Sequence, residues 1–136
     1  MINLSNKVAI ITGGSRGIGK ACVEYFVKAN AKVAFTYKTA MNKATELQEK
    51  FNGSAKAYCV DMESEKDIFG MVNNVIKDFG KVDILVHNAG IWNDGTLENL
   101  TTDRWNELIR VNLTSTFLFA KACAVHMKKN NFGRMI

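Results

Sequence analysis

TGGSRGIGKA, residues Thr12 to Ala21, decides how the rest of this chain is read, because only a few kinds of turn need so many glycines. Ahead of it, KVAIITG (Lys7 to Gly13) is a short β-branched run ending in glycine, the pattern of a strand buried on both faces. Behind it, Gly19 to Ala29 has helical periodicity, with Cys22, Tyr25 and Phe26 expected on the inward face. A glycine turn from strand to helix lets the backbone approach a ligand with no Cβ in the way. The helix it launches offers unpaired N–H groups and the positive end of its dipole to an anion, each charge gaining about 0.3–1 kcal/mol there.

Three motifs compete for the turn. Gly14 to Lys20 fits GxxxxGK, the start of an NTPase loop, but Ala21 stands where a Ser or Thr must hold magnesium. The dinucleotide fingerprint GxGxxG fails because Cys22 replaces the third glycine after Gly17 and Gly19. TGxxxGxG, written by Thr12, Gly13, Gly17 and Gly19, does fit.

Strand and helix patterns alternate outward from this turn. Ala31 to Tyr37 and Ala55 to Val60 read as strands, and Met41 to Phe51 as a helix between them. Ile68, Met71, Val72, Val75, Ile76 and Phe79 form one apolar helical stripe. Ser64 is its expected N-cap, Asp67 sits at capping-box distance, and Gly80 is its expected stop. Val82 to Gly90 reads as a fourth strand running into a loop, and Thr102 to Asn130 as a long helical region. Repeated strand–helix units with strands apolar on both faces predict an α/β, Rossmann-type doubly wound parallel sheet. No Asn-Gly or Asp-Gly joins two strand runs, which disfavours antiparallel hairpins. Residues 1–136 are read as one dinucleotide-binding domain, C-terminally incomplete, because Met135 and Ile136 look like the start of a fifth strand.

Composition narrows the class. The 136 residues are 47% hydrophobic and 23% charged, an ordinary globular balance. No basic leader with an apolar core opens the chain, and no long uncharged apolar run is evident, so secretion and membrane spanning are not expected. Cys22, Cys59 and Cys123 form no CxxC pair and read as reduced thiols of a cytoplasmic protein. The net charge of +5 is spread over single lysines, with no basic–aromatic alternation, so nucleic acid is not expected as a partner.

Four landmarks in order make the chain resemble the short-chain dehydrogenase/reductase family, from Asn6 to Ile136. The first is the Thr12–Gly19 turn; the others are Asp61 at the third strand end, His87-Asn88-Ala89-Gly90 after the fourth, and Val111-Asn112-Leu113. Among subgroups it looks most like the 3-oxoacyl-[acyl-carrier-protein] reductases. The resemblance implies cofactor contacts from Gly13, Ser15, Arg16, Gly17, Ile18, Gly19, Tyr37, Lys38, Asp61, Met62, Asn88, Ala89 and Gly90, with Asp61 approaching the adenine. It implies a catalytic role in a proton relay for Asn112. From the residues alone, Asn112 interrupts an apolar face of Leu108, Ile109, Leu113 and Phe117, a buried amide in need of partners at a helix kink. His87 departs from the family's usual Asn and reads as a packing or hydrogen-bonding residue, His126 as a polar residue late in its helix. Trp92 and Trp105 read as packing and rim residues.

Charge selects the dinucleotide. NAD-preferring folds place an acid after the second strand to bind the ribose diol. Tyr37 and Lys38 stand there instead, and Arg16 reaches the same region from the turn. Both cations also suit a plain solvated surface, but with no acid nearby NADP(H) is preferred over NAD. A charge-assisted contact to the 2′-phosphate supplies about 1.5–3 kcal/mol.

The resemblance further implies reduction of a carbonyl substrate, 3-oxoacyl-thioester-like and carrier-protein-linked in the subgroup, by a homo-oligomer. That chemistry takes its proton from a Tyr with a Lys four residues on, assisted by a Ser. None of Tyr25, Tyr37 and Tyr58 has that spacing. The chain is therefore expected to be the amino-terminal part of such an enzyme, cut within its fifth strand and inactive alone. The alternative is a complete nucleotide-binding module without chemistry.

Overall fold

Each apolar run becomes a parallel strand. The computed structural model describes residues 2–136; Met1, counted in the expected domain, lies outside them. Strands β1 (Val8–Ile11), β2 (Lys32–Tyr37), β3 (Ala55–Cys59), β4 (Ile84–Val86) and β5 (Arg134–Met135) form one sheet in the order β3-β2-β1-β4-β5. Every pairing is parallel, with Ile10 beside Ala34 on one side and Leu85 on the other. The order reverses between β1 and β4, so the crevice at their carboxyl ends is the natural ligand position of such a sheet.

Helices α1 (Gly17–Lys28) and α2 (Met41–Lys50) cover one face, and α3 (Glu65–Phe79) and α5 (Ser115–Lys129) the other. The strand alternation sorts the core accordingly. Ile11, Val33 and Phe35 pack with Val23, Ala44 and Leu47, while Val8, Ile10 and Leu85 pack with Ile68, Val72, Val75 and Phe119. Phe119 is fully buried, so its truncation to Ala would cost about 3–5 kcal/mol. The first helix differs from expectation at Tyr25, which is 71% exposed with Lys28 over its ring, while Val23 takes the inward position. Its inward face runs through Gly19, Val23, Phe26 and Val27 at three- and four-residue steps, and Tyr25 falls off that stripe.

The ends of α3 follow the sequence closely. Ser64 Oγ accepts from Asp67 N–H at 3.2 Å, and Gly80 caps the far end with φ +83°. The reciprocal half of a capping box is not made. The Asp67 carboxylate, one methylene shorter than Glu, accepts from Asp61 N–H at 3.4 Å instead of reaching Ser64 N–H.

The long helical region is α4 (Thr102–Ile109) and α5 joined by a π stretch, Arg110–Thr114. Ser115 Oγ donates to the Val111 carbonyl at 2.5 Å and Thr116 Oγ1 to the Asn112 carbonyl at 2.8 Å. Such back-bonding often bends a helix. The π turn shifts the inward stripe to Val111, Ser115, Leu118, Phe119, Ala122, Cys123 and Met127. Asn112, Leu113 and Phe117 are consequently exposed, contrary to the buried face expected for them. By length and composition this helix is apolar enough to cross a membrane, although no such run was expected. Its buried residues pack against α3 in the same core as β1 and β4.

At the sheet's far edge β5 is a two-residue stub. Arg134 N–H donates to Asp83 O at 3.0 Å and Ile136 N–H to Leu85 O at 2.9 Å, while His87 N–H donates to Ile136 O at 2.8 Å. The three cysteines are free thiols, and burial pushes the Cys123 thiol up to about 12.

Candidate functional site

Thr12 ties the glycine turn to the loop after β4. Its buried Oγ1 accepts from Asn88 N–H at 3.0 Å and from Ala89 N–H at 2.9 Å. Asn88 returns the contact, its Nδ2 donating to the carbonyls of Thr12 at 3.0 Å and Gly13 at 3.2 Å. From the other side, the fully buried Thr36 accepts from Gly13 N–H at 3.0 Å through Oγ1 and from Gly14 N–H at 2.9 Å through its carbonyl. Two buried hydroxyls and one amide thus fix the turn against both neighbouring strands. Thr36 was not singled out in the sequence. Its signal was a lone hydroxyl within the apolar run of β2, which must find a partner once both faces are covered.

The turn has room for backbone and nothing else. A Cβ at Gly19 would lie 2.1 Å from the Gly13 carbonyl oxygen and 2.6 Å from Asn88 Nδ2. Gly13 and Gly17 adopt φ +66° and +55°, the left-handed region that glycine enters without penalty. Arg16 is the N-cap of α1 in extended conformation, and no side chain accepts a hydrogen bond at that cap. No acid occupies the first turn of α1 either. The leading N–H groups are therefore left for an external acceptor, and the dipole there favours an anion. Arg16, Lys20 and Lys43 add positive charge around a cleft of about 420 Å³ between α1 and α2.

Of the expected residues only Ser15, Arg16 and Gly17 line that cleft; all of them lie at the carboxyl ends of the strands. Gly13, Ser15, Arg16, Gly17, Ile18 and Gly19 follow β1, Tyr37 and Lys38 end β2, Asp61 and Met62 follow β3, and Asn88, Ala89 and Gly90 follow β4. Their side chains differ in availability. Arg16 and Ile18 are exposed, whereas Ser15 and Met62 are buried, Met62 within the core beside α3. Lys38 Nζ donates to Asp61 Oδ1 at 3.0 Å, so the cation expected for a phosphate and the acid expected for adenine are paired with each other. The backbone N–H of Glu63, then Lys38, hold the Asp61 carboxyl below its usual range.

Asn112 lies beside the loop after β4 without being buried. Its Oδ1 accepts from Ile91 N–H at 2.8 Å and its Nδ2 donates to the Ile91 carbonyl at 2.7 Å. Nearby, Arg104 donates to the Trp92 carbonyl at 2.7 Å. The loop after Gly90 is therefore held to the helix through its backbone. Trp92 is 76% exposed and Trp105 53%, so both are rim residues and neither packs as expected. His87 sits between Ser115 Oγ and Thr116 Oγ1, at 3.1 and 3.2 Å, with Phe119 edge-on at 5.8 Å. Burial lowers its pKa, in keeping with a neutral bonding role.

A parallel sheet with the order 3-2-1-4-5, bearing a glycine turn at its switch point, defines the class of Rossmann-type α/β proteins. Within that class the chain belongs to the short-chain dehydrogenase family, whose family model, "short chain dehydrogenase", matches residues 7–136. It is 37% identical over 135 residues to the 3-oxoacyl-[acyl-carrier-protein] reductase FabG of Salmonella typhimurium, covering 99% of this chain and 55% of that protein. It is 36% identical to the NADP-dependent mannitol dehydrogenase of Alternaria alternata, covering all of this chain and 53% of that protein. Among solved structures it is similar to a short-chain dehydrogenase/reductase mutant of Serratia marcescens, with a TM-score of 0.90 and 34% identity. That match covers 97% of this chain and 54% of the other. The chain spans about half the length of the curated relatives it matches. Those relatives are oxidoreductases.

Proposed function

We propose that this chain is the cofactor-binding portion of an NADP(H)-dependent oxidoreductase that reduces a carbonyl to an alcohol. The observation that carries the reading is the glycine turn. It is pinned by Thr12, Thr36 and Asn88, closed to any Cβ at Gly19, and opens onto a helix end with no side-chain cap. That arrangement suits the diphosphate of a dinucleotide. When bound, the nicotinamide supplies a hydride to the carbonyl carbon.

The choice of phosphate rests on charge. The end of β2 carries Tyr37 and Lys38 with no acid of its own, and Arg16 has no ion-pair partner among the described residues. Two cations in reach of a ribose 2′-phosphate favour NADP(H) over NAD. The mannitol dehydrogenase named above, NADP-dependent by its own name, is consistent with this choice.

The residues present position the cofactor and leave protonation to others. Tyr58 donates to Asp78 at 2.5 Å, and desolvation, followed by that carboxylate, raises its pKa far above the ordinary phenol value. Tyr25 is exposed on α1, away from the crevice, and neither has a lysine four residues on. We assign the proton donor to the part of the relatives' length that this chain does not span. In this reading Asn112 supports the reaction by holding the Ile91 backbone. The substrate is a small carbonyl compound, a 3-oxoacyl thioester fitting the FabG relatives, and the whole protein works as a cytoplasmic homo-oligomer without nucleic acid or membrane.

The test is a coenzyme swap. Arg16→Ala with Lys38→Asp is expected to lower the NADPH:NADH affinity ratio by about ten- to a hundredfold, the loss of one charge-assisted contact or more. An unchanged ratio would refute the NADP(H) assignment.

A further inference from the structure

Lys38 does not stand free at the end of β2. Its ammonium is 3.0 Å from Asp61 Oδ1 and 4.0 Å from Glu63 Oε2, and Glu63 Oε1 accepts from Arg110 Nε at 2.7 Å. These ion pairs link the ends of β2 and β3 to the first residue of the π stretch. Two cations and two carboxylates leave the cluster with no net charge. A 2′-phosphate approaching Lys38 therefore meets a cation already shared with two acids, and must compete with them for it.

Resting on the NADP(H) reading above, we propose that Glu63 is a specificity-determining residue: a counter-ion that holds Lys38 and weakens the preference for a 2′-phosphorylated dinucleotide. The two acids differ in kind. Asp61 lies at the strand end expected to face the adenine, so its removal would disturb both coenzymes. Glu63 is turned toward Arg110 and Lys38, and its carboxylate acts on the phosphate only through the cation it attracts. The pair is solvent-exposed, with the Lys38 side chain 56% accessible, so the effect is modest and screened by salt.

The experiment measures dissociation constants for NADPH and NADH on the full chain, for the parent, Glu63→Gln, Lys38→Gln and the double variant. Glu63→Gln is expected to raise the NADPH:NADH affinity ratio about two- to fivefold at low salt, and less at high salt. In the Lys38→Gln background the same change is expected to be lost or sharply reduced. Thermal melts of the four proteins establish that each is folded; Arg110→Gln, which removes the other partner of Glu63, separates loss of the Arg110 pair from the effect on Lys38. The proposal is overturned by an unmoved ratio in Glu63→Gln, by a gain that persists in full without Lys38, or by an equal gain from Arg110→Gln. If Lys38→Gln itself leaves the ratio unchanged, the assignment of Lys38 to the 2′-phosphate falls, and the proposal falls with it. If Lys38→Gln lowers the ratio and Glu63→Gln does nothing, only the role of Glu63 is lost.

Discussion

The side-chain amide of Asn112 meets both backbone groups of Ile91, accepting from its N–H at 2.8 Å and donating to its carbonyl at 2.7 Å. An asparagine on the π stretch thus acts as a surrogate strand for the loop that leaves β4. The carbonyls of Val111 and Asn112 are meanwhile satisfied by Ser115 and Thr116. Gly90 completes the fit, since a Cβ there would approach Asn112 Oδ1 to 3.3 Å.

Asn112→Ala is expected to destabilise the chain by about 1 kcal/mol, the net value of hydrogen bonds partly open to water. Leu would be a poor control, so Asn112→Asp is the better comparison. It keeps the acceptor for Ile91 N–H and faces the Ile91 carbonyl with a second acceptor, so it should rescue little. Urea denaturation of the three proteins measures this, and Asp restoring full stability would contradict the two-sided contact.

Gly17 and Gly19, two of the turn's four glycines, should respond differently to a methyl group. Gly19→Ala places a Cβ 2.1 Å from a backbone oxygen, so the turn must move. Nothing lies within 4 Å of a Cβ at Gly17, whose only obstacle is φ +55°. Gly17→Ala should cost about 1–3 kcal/mol of stability through backbone strain. Gly19→Ala should additionally lower dinucleotide affinity by about tenfold or more, on the order of 1.4 kcal/mol or above. Equal effects on affinity would mean that the close packing of Gly19 on Gly13 is irrelevant to binding.

Thr12→Val and Thr36→Val are near-isosteric and remove one hydroxyl each. Thr36→Val orphans one N–H, that of Gly13, and Thr12→Val orphans two, those of Asn88 and Ala89. The orphaned N–H groups are part-buried, so each costs at most about 1–3 kcal/mol, and Thr12→Val is expected to be the more damaging. Chemical denaturation ranks them, and the reverse order would show that the turn is held chiefly from β2.

Acid should weaken the fold before the carboxylates titrate. Burial depresses the His87 pKa below its ordinary value of 6.5, so at mildly acidic pH the unfolded chain binds a proton that the folded chain resists. The stability contributed is complete above the unfolded value and is lost as pH falls below it, toward the folded value. Melting temperature should therefore decline between pH 7.5 and 5.5, and less steeply in His87→Asn. Parallel pH profiles for the two proteins would remove His87 as the cause.

Much of this architecture is legible in the sequence because its signals are local. The stripe from Ile68 to Phe79, the Ser64 cap and the Gly80 stop all depend on neighbours within one or two turns. The glycine turn is equally local and lies between β1 and α1 as expected, although α1 begins at Gly17, two residues before the expected Gly19. What escaped depends on distant partners. Thr36 gains its meaning only from Gly13, twenty-three residues away. The inward face of α5 could not be placed because periodicity assumes an unbroken helix, and the π stretch changes the phase at Asn112. Similarly, Lys38 and Asp61 were each assigned to a ligand, whereas the fold brings their side chains together.

The most direct measurement is calorimetric titration of the folded chain with NADPH, repeated with NADH and with Gly19→Ala. Saturable one-to-one binding is predicted, with NADPH tighter than NADH and both weakened by the methyl at Gly19. A folded chain that takes up neither dinucleotide would contradict the claim that the turn from Thr12 to Gly19 seats a diphosphate.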